Sequence, residues 1–337
     1  DAVPVKVQYK DATGTVVAED TINVPVTVVS STPSNIVVFE GEKPTAEQAK
    51  TAVTPGTDGT KGEPTTLPET TGKAGAKDVK VDVPVTYDNG KLTETVSVPV
   101  TVLPKATGEV EVPKGSTVDK VKELAKAKAK TLTESADFTG KLPKGATVTV
   151  GDITEAVAET LTNEKGTNKG VVNVPATYTV DGQTYNTTIP VTINVLGSEP
   201  KTVYTVEGTK PDAEKVKNAV TPGTGGTVNA PTEAGLPETT GKAGAKDVTA
   251  TTTVTYSNGT ETVNVPVEVL PKATPEKVIT LKDTTGDNLT TAVKEKAQAA
   301  LGKLTLPSGV TVELDPNQTY TVPATDSNGD KTAVPVK

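Results

Sequence analysis

Several residue types with special chemistry are missing from this sequence, which contains no cysteine, histidine, methionine or tryptophan, and no arginine either. Without histidine and cysteine, the chain lacks the commonest general base, the best thiol nucleophile and the usual zinc ligands. Without arginine, it lacks the planar side chain that binds phosphate or carboxylate through two parallel hydrogen bonds. These absences make an enzyme the least favoured function class. An enzyme is not excluded, because carboxylates, lysine, serine and tyrosine remain.

Large side chains and long apolar runs are also scarce. Aromatic residues make up 3% and hydrophobic residues 34% of the 337 residues. Such a composition would fill one large core poorly, so several thin modules are expected. No stretch of about 18 apolar residues occurs, so no membrane insertion is expected. The net charge of −8 argues against nucleic acid as a partner.

An internal repeat organises what is present. Residues 40–57 align with residues 207–224, and the sequence of residues 67–79 recurs unchanged at 236–248. A longer unit with a helix lies between these copies and begins again near residue 273. The repeat predicts the end of a long module at 1–31, a short module at 32–105, a long module at 106–198 with a helix near 117–132, a short module at 199–272, and the start of a long module at 273–337.

Each unit closes with alternating valine and threonine strands around an expected two-residue hairpin turn. The turn residues are Asn89-Gly90, Asp181-Gly182 and Asn258-Gly259, pairs that tolerate the positive φ angles of such turns. Because proline has no N–H group to donate, prolines within these strands are expected on edge strands or at bulges. Those prolines are Pro84, Pro99, Pro175, Pro190 and Pro266.

A recurring frame of residues runs through the short unit. The frame returns in the copy at 236–267. It comprises Leu67-Pro68, Thr70, Gly72, Gly75, Val79, Val83, Val85-Thr86-Tyr87, Asn89-Gly90 and Val98-Pro99-Val100. This frame resembles the Rib/alpha-like repeat of Gram-positive cell-wall-anchored surface proteins, and the long unit resembles the lengthened Rib variant. The family's hairpin is usually Tyr-Pro-Asp-Gly, and the residues found here preserve its turn chemistry.

The resemblance implies a fold and a role. The implied fold is mostly β: tandem immunoglobulin-like β-sandwich modules in an elongated rod, with an α-helix inserted in the long modules. The implied role is a stalk, extracellular at the bacterial cell wall surface, that projects a distal adhesive domain. The partners would be neighbouring repeat modules of the same or an adjacent chain, and a host surface ligand bound through the distal domain. The resemblance brings no catalytic residue, cofactor or metal.

A direct adhesin module that binds a host glycan or protein is the alternative function. Sugar sites usually display exposed aromatic side chains, and this alternative would be favoured by a cluster of them. The candidates are Tyr9, Tyr178, Tyr185, Tyr204 and Phe39, and they do not cluster in the sequence.

Two motifs have both a functional and a structural interpretation. Residues 67–72, LPETTG, are similar to a sortase sorting signal, but Thr71 interrupts the signal and the motif is internal and duplicated. A turn before a strand is therefore expected there. Asp326, Asn328 and Asp330 place side-chain oxygens at the spacing of a calcium-binding loop. A hairpin turn explains the same residues, so the sequence does not decide whether a metal binds there.

Both ends of the chain are expected to be parts of long modules. The sequence has no starting methionine or signal peptide, so it is expected to come from within a longer protein. Residues 1–30 and 273–337 would each leave strand edges and apolar faces open. They are expected either to complement each other across neighbouring molecules or to be a window cut from a longer array.

Overall fold

The structure is a computed structural model that describes residues 1–163, 166–279 and 287–317. The chain divides into two compact units. The first comprises residues 1–108, 126–154 and 173–191, and the second comprises residues 109–125 and 155–172 together with the chain from 192 onward. In both units, more residues lie in β-strands than in helices. Within the described residues, no helix has the length and apolar character needed to cross a membrane.

The first part of the chain contains a hairpin followed by a short module. The hairpin consists of β1 (Ala2–Lys10) and β2 (Val16–Pro25). The module consists of β3 (Thr32–Pro33), β4 (Ile36–Phe39), α1 (Ala46–Thr51), β5 (Val53–Thr54), β6 (Thr60–Lys61), β7 (Lys80–Tyr87), a 3₁₀ segment (Asp88–Gly90) and β8 (Leu92–Leu103).

The middle of the chain contains a helix of 17 residues, and the remainder repeats the short module. The middle consists of β9 (Gly108–Pro113), α2 (Val118–Glu134), α3 (Ala136–Thr139), β10 (Thr147–Val150), a 3₁₀ segment (Glu159–Thr162), β11 (Gly166–Val180) and β12 (Gln183–Leu196). The repeat and the end consist of β13 (Glu199–Pro200), β14 (Val203–Val206), α4 (Ala213–Asn218), β15 (Val220–Thr221), β16 (Thr227–Val228), a 3₁₀ segment (Glu233–Gly235), β17 (Thr249–Tyr256), β18 (Gly259–Leu270) and α5 (Asp287–Leu301).

The two short modules have the same two-layer sandwich. In the first, a four-stranded sheet of order β4-β8-β7-β6 faces a small β3-β5 sheet, and in the second the orders are β14-β18-β17-β16 and β13-β15. The strand β4 is parallel to β8, whereas β7 is antiparallel to both of its neighbours. Alternate residues of β7, Val81, Val83 and Val85, point into the core, as expected for a half-buried strand.

A capped helix closes the core of each short module. Thr45 caps α1 through a capping box with Gln48, and Asp212 caps α4 by accepting the Lys215 N–H. Caps of this type satisfy backbone donors that the first helical turn leaves free. The caps fix the start of each helix. Ala49 of α1 and Val216 of α4 then pack against the sheet, and both are fully buried.

The middle of the chain has a four-stranded sheet of order β10-β11-β12-β9. Its helix α2 occupies Val118–Glu134, where the sequence placed a helix near 117–132. Thr117 caps the helix by accepting the Lys120 N–H at 3.2 Å. Val121, Ala125 and Ala129 are buried at intervals of about one helical turn, so one stripe of α2 faces the core.

The three expected hairpin turns differ. The turn at Asp181-Gly182 is confirmed as a two-residue turn between β11 and β12, with φ angles of 49° and 78°. The turn in the first short module is longer than expected. There Tyr87 pairs with Leu92, so residues 88–91 form the loop. Three of these residues have positive φ, which asparagine and glycine tolerate best.

The turn of the second short module is shifted by one residue from its expected position. Tyr256 pairs with Gly259, so Ser257-Asn258 forms the two-residue loop and Gly259 belongs to the strand. The difference arises because the first module has Lys91-Leu92 where the second has no residues. The number of residues between the pairing strands, and not the Asn-Gly pair itself, therefore decides the type of turn.

All five strand prolines lie in inner strands, namely Pro84 in β7, Pro99 in β8, Pro175 in β11, Pro190 in β12 and Pro266 in β18. For Pro84, Pro99, Pro175 and Pro266, the pairing with one of the two neighbouring strands stops at the adjacent residue. Pro99 belongs to β8, whose pairing with β4 begins at Val100. Pro266 belongs to β18, whose pairing with β14 begins at Val267. The expectation of edge strands was therefore wrong for all five residues. An inner strand accepts proline at such a position because one of its two neighbouring strands does not pair with that residue, so no N–H group is needed on that side.

We expect Gly182→Ala to lower the free energy of unfolding by about 1–2 kcal/mol, because an L-residue with a side chain is disfavoured in the left-handed region. Gly182 has a φ of 78°. The control is Gly302→Ala, since a Cβ there would come no closer than 3.7 Å to a neighbouring atom and its φ lies outside that region. Thermal unfolding by circular dichroism measures both. Equal losses in the two variants would contradict the turn geometry.

Candidate functional site

A buried cluster of hydrogen bonds joins the linker before β13 to the hairpin of the second short module. Glu261 is 3% exposed. The Ser198 N–H donates to Glu261 Oε1 at 3.1 Å, and the Ser198 hydroxyl donates to Oε2 at 2.7 Å. The Tyr256 hydroxyl donates to the same Oε2 at 3.1 Å and lies 3.0 Å from Ser198 Oγ. The Gly223 N–H donates to the Tyr256 hydroxyl oxygen at 3.2 Å, so every member of the cluster has a partner.

The first short module contains the same cluster. The Ser31 N–H donates to Glu94 Oε2 at 3.0 Å, and the Tyr87 hydroxyl donates to that oxygen at 3.1 Å. Ser31 Oγ lies 2.7 Å from the Tyr87 hydroxyl. The Gly56 N–H donates to that hydroxyl at 3.3 Å. We call the two sets, Ser31–Tyr87–Glu94 and Ser198–Tyr256–Glu261, the joint clusters.

Glycine allows the linker to approach each joint cluster closely. A Cβ on Gly56 would lie 2.8 Å from the Ser30 carbonyl oxygen, and one on Gly223 would lie 3.1 Å from the Gly197 carbonyl oxygen. Both glycines follow a proline in the repeated Thr-Pro-Gly-Thr segments. The linker backbone therefore packs directly on the loops that contain these glycines, and neither glycine position has room for a side chain.

The joint clusters shift two pKa values in opposite directions. Hydrogen bonds from Ser31 and, to a smaller extent, from Tyr87 lower the pKa of Glu94 below its ordinary value. A carboxyl group whose pKa is lowered by folding stabilises the fold above its unfolded pKa, and this stabilisation is lost as the pH falls through the folded pKa. Burial raises the pKa of Tyr256, so folding favours the neutral hydroxyl that donates to Glu261.

An aromatic cluster lies in the first unit. The rings of Phe39 and Tyr178 meet edge to face with centroids 5.0 Å apart, and Phe138 lies 6.3 Å from Tyr178 on another side. The Tyr178 hydroxyl donates to the Pro104 carbonyl oxygen at 2.7 Å, and Lys105 Nζ lies 5.9 Å from the Phe39 centroid. Tyr178 thus connects strand β11 to the segment that follows β8.

We expect Tyr178 to titrate later than a tyrosine of the unfolded chain, because burial raises its pKa from 10.0 to about 12. In the unfolded chain, tyrosine loses its proton near pH 10, whereas folded Tyr178 keeps its proton up to about 12. Stability should therefore fall as the pH rises through this window. Tyrosinate absorbance measures the titration, and Tyr178→Phe should remove the contribution of Tyr178 to the late phase, whereas that of Tyr256, whose pKa burial also raises, should stay. A single transition near pH 10 for every tyrosine would contradict this assignment.

The motif similar to a sorting signal is part of the folded module. Thr70 is fully buried, and its hydroxyl donates to the Glu42 carbonyl oxygen at 2.8 Å. Gly72 has a φ of 71°, and its N–H donates to the Glu40 carboxylate at 2.8 Å. The second copy has the same bonds from Thr239 and Gly241. The motif therefore forms a hydrogen-bonded turn, in agreement with the structural interpretation.

The other candidates are dispersed. Phe39 and Tyr178 are buried against each other, and Tyr185 is half-buried. Tyr9 and Tyr204 are exposed but belong to different units. Asp326, Asn328 and Asp330 lie outside the described residues. Within residues 1–163, 166–279 and 287–317, no group of three or more acidic residues is placed to hold a metal ion.

Sequence reasoning missed the joint clusters. The signal that could have revealed them is the recurrence of a serine before each short module, a tyrosine before each turn and a glutamate after it. Taken alone, that pattern is typical of a linker and a hairpin. Ser31 and Glu94 are 63 residues apart, so their proximity depends on the tertiary fold.

Comparison with known proteins gives no family assignment: no protein-family model matches the chain, and no curated protein sequence matches it. Solved structures with distant similarity include extracellular domains and an adhesin region. An I-band fragment of titin has 9% identity and a TM-score of 0.15, with 72% of this chain and 98% of that chain covered. The protocadherin γB4 extracellular domain has 10% identity and a TM-score of 0.16, with 80% and 56% covered.

A third similar structure is the sialic acid-binding region of a Streptococcus sanguinis adhesin. It has 15% identity and a TM-score of 0.18, with 90% of this chain and 91% of that chain covered. Because these TM-scores are low, the similarities assign neither a family nor a function to this chain.

Proposed function

We propose that the chain is a repeat region of the Rib/alpha-like type that serves as a stalk on a Gram-positive cell wall and projects a distal adhesive domain. The joint clusters support this proposal. In each short module, a carboxylate and a tyrosine from the terminal hairpin hold the serine of the preceding linker. A linker held in this way is stiff, and stiff linkers let tandem modules add length while each module contacts only its neighbours.

The same observations favour a structural role over catalysis. The polar side chains of the joint clusters bond to each other and to the linker backbone, so their hydrogen-bonding capacity is used within the fold. The most buried tyrosine, Tyr178, is likewise bonded to a carbonyl oxygen. We therefore propose a protein without enzymatic activity, located outside the cell, whose partners are neighbouring modules and, through the distal domain, a host ligand.

Small-angle X-ray scattering tests the stalk. A single compact globule of this length would have a radius of gyration of about 20 Å, and a stalk should exceed that value clearly. The double variant Glu94→Ala with Glu261→Ala should make the scattering that of a more flexible chain while each module stays folded by circular dichroism. A near-spherical wild-type molecule would contradict the proposal. Saturable binding of the chain alone to a glycan array would favour the adhesin alternative.

A further inference from the structure

The chain enters and leaves the first short module along one pair of parallel strands. The strand β4 is the first long strand of the module, β8 is its last, and the two are hydrogen-bonded neighbours. Their pairing starts at Ile36 with Val100 and ends at Phe39 with Leu103. The Glu40 N–H donates to the Leu103 carbonyl oxygen at 2.9 Å and extends the pairing by one residue. This strand pair therefore joins the two ends of the module directly.

The second short module has the same arrangement. The strand β14 is parallel to β18, and the pairing starts at Val203 with Val267 and ends at Val206 with Leu270. The Glu207 N–H donates to the Leu270 carbonyl oxygen at 2.9 Å. Because the pair recurs together with its additional hydrogen bond, it belongs to the design of the short module and not to one copy.

The joint clusters lie in line with these strand pairs. In the first module, the segment that starts at Ser31 runs beside β8. It bonds to Glu94 near the start of that strand and to Leu103 at its end. In the second module, Ser198 bonds in the same way to Glu261 near the start of β18. The entering segment of each module is thus held along the whole length of the last strand.

Tension along the chain would load each strand pair in shear. It would pull β4 back toward the linker before the module and β8 forward toward the linker after it. Since the two strands are parallel, they would be drawn past each other along their length, and the hydrogen bonds between them would carry the load together. Strands that are pulled apart from one end lose their hydrogen bonds one after another and resist less.

We infer that the short modules are tensile clamps, in which the parallel pairs β4-β8 and β14-β18, with the joint clusters in line, resist force applied along the chain. The inference deepens the stalk proposal and rests on it for the source of the load, because a stalk that holds an attached particle is under tension. It assigns the joint clusters a second role, since the bonds of Ser31 and Ser198 must break before the entering segment can slide.

Force spectroscopy of the full chain, held at its two ends, tests the clamps through proline variants of β4. The Glu40 N–H bonds to β8, and bonding groups alternate along a parallel strand, so the Val38 N–H also faces β8 whereas that of Val37 faces away. Val38→Pro should lower the unfolding force of the first module by about a third or more, because proline removes a donor that carries load.

Val37→Pro is the matched control. It changes the same residue type in the same strand, but its N–H does not face β8, and edge strands accept proline at such positions. Its unfolding force should match the wild type. The second module is an internal reference whose force should stay constant in both variants. Each module is recognised by its gain in length, since freeing residues 31–103 adds about 200–250 Å of extended chain.

The direction of loading separates the clamp from overall stability. The chain has no cysteine, so introduced cysteines provide unique handles. The pair Val28→Cys and Thr107→Cys loads β4-β8 in shear, whereas Lys43→Cys with Thr107→Cys pulls the same strands apart from one end. All three positions are exposed. The unfolding force in shear should be at least about twice the other, because forced unfolding depends on the barrier met along the loaded direction.

Two results would overturn the inference: equal forces in the two directions, or equal losses of force in Val38→Pro and Val37→Pro. The handle variants keep both strands unchanged, so their comparison decides the question even if Val38→Pro does not fold. The forces and the scattering are separate measurements. A weak module in an elongated molecule would refute the clamp alone, and a strong module in a near-spherical molecule would refute the stalk alone.

Discussion

Replacing Tyr178 with alanine is expected to lower the free energy of unfolding of the first unit by about 3–5 kcal/mol, the range for removing a buried aromatic side chain. Tyr178 is fully buried, packs on Phe39 and Phe138, and bonds to the Pro104 carbonyl. The alanine variant loses the ring contacts and leaves that carbonyl oxygen without its donor. Chemical denaturation followed by circular dichroism measures the loss.

Two further variants separate the ring of Tyr178 from its hydroxyl. Tyr178→Phe keeps the ring and should cost only about 1–2 kcal/mol, since one hydrogen bond is lost. Tyr204→Ala is the control for tyrosine removal, because Tyr204 is 49% exposed and its loss should cost less than about 1 kcal/mol. If Tyr178→Ala were no more harmful than Tyr204→Ala, the aromatic cluster would not hold the first unit together.

Replacing Glu261 with alanine is expected to destabilise the second short module by about 2–4 kcal/mol. The carboxylate accepts the Ser198 N–H and two hydroxyl donors in a buried setting, and a buried donor that loses its acceptor costs about 1–3 kcal/mol. Because Ser198 precedes β13, the variant should also loosen the linker. Trypsin cleavage after Lys201 should become faster and provides a second measurement besides thermal unfolding.

The control for Glu261→Ala lies on the same strand. Glu268 is only half-buried, so Glu268→Ala should change stability by less than about 1 kcal/mol. Glu261→Gln keeps one acceptor oxygen but turns an amide N–H₂ toward existing donors, so its loss should be intermediate. Stability and cleavage that match the wild type in Glu261→Ala would show that the joint clusters do not fasten the linker.

The repeat and the strand pattern were sufficient to predict much of the fold. Alternating valines gave the buried face of β7 because side chains of a strand alternate between its two faces. The helical spacing after Thr117 gave the helix α2 to within two residues. The turns were harder to predict, since Asn89-Gly90 and Asn258-Gly259 are the same dipeptide in loops of different length.

By itself, the sequence determined that the chain is mostly β, that its short module occurs twice and that one long helix lies between the copies. These features depend on local periodicity and on repetition, which a sequence displays directly. Only the tertiary structure decided that Ser198 meets Glu261 and that Tyr178 meets Phe39. Such contacts join residues far apart in the chain, and they form because packing of the core fixes the strands, and with them the distances between their side chains.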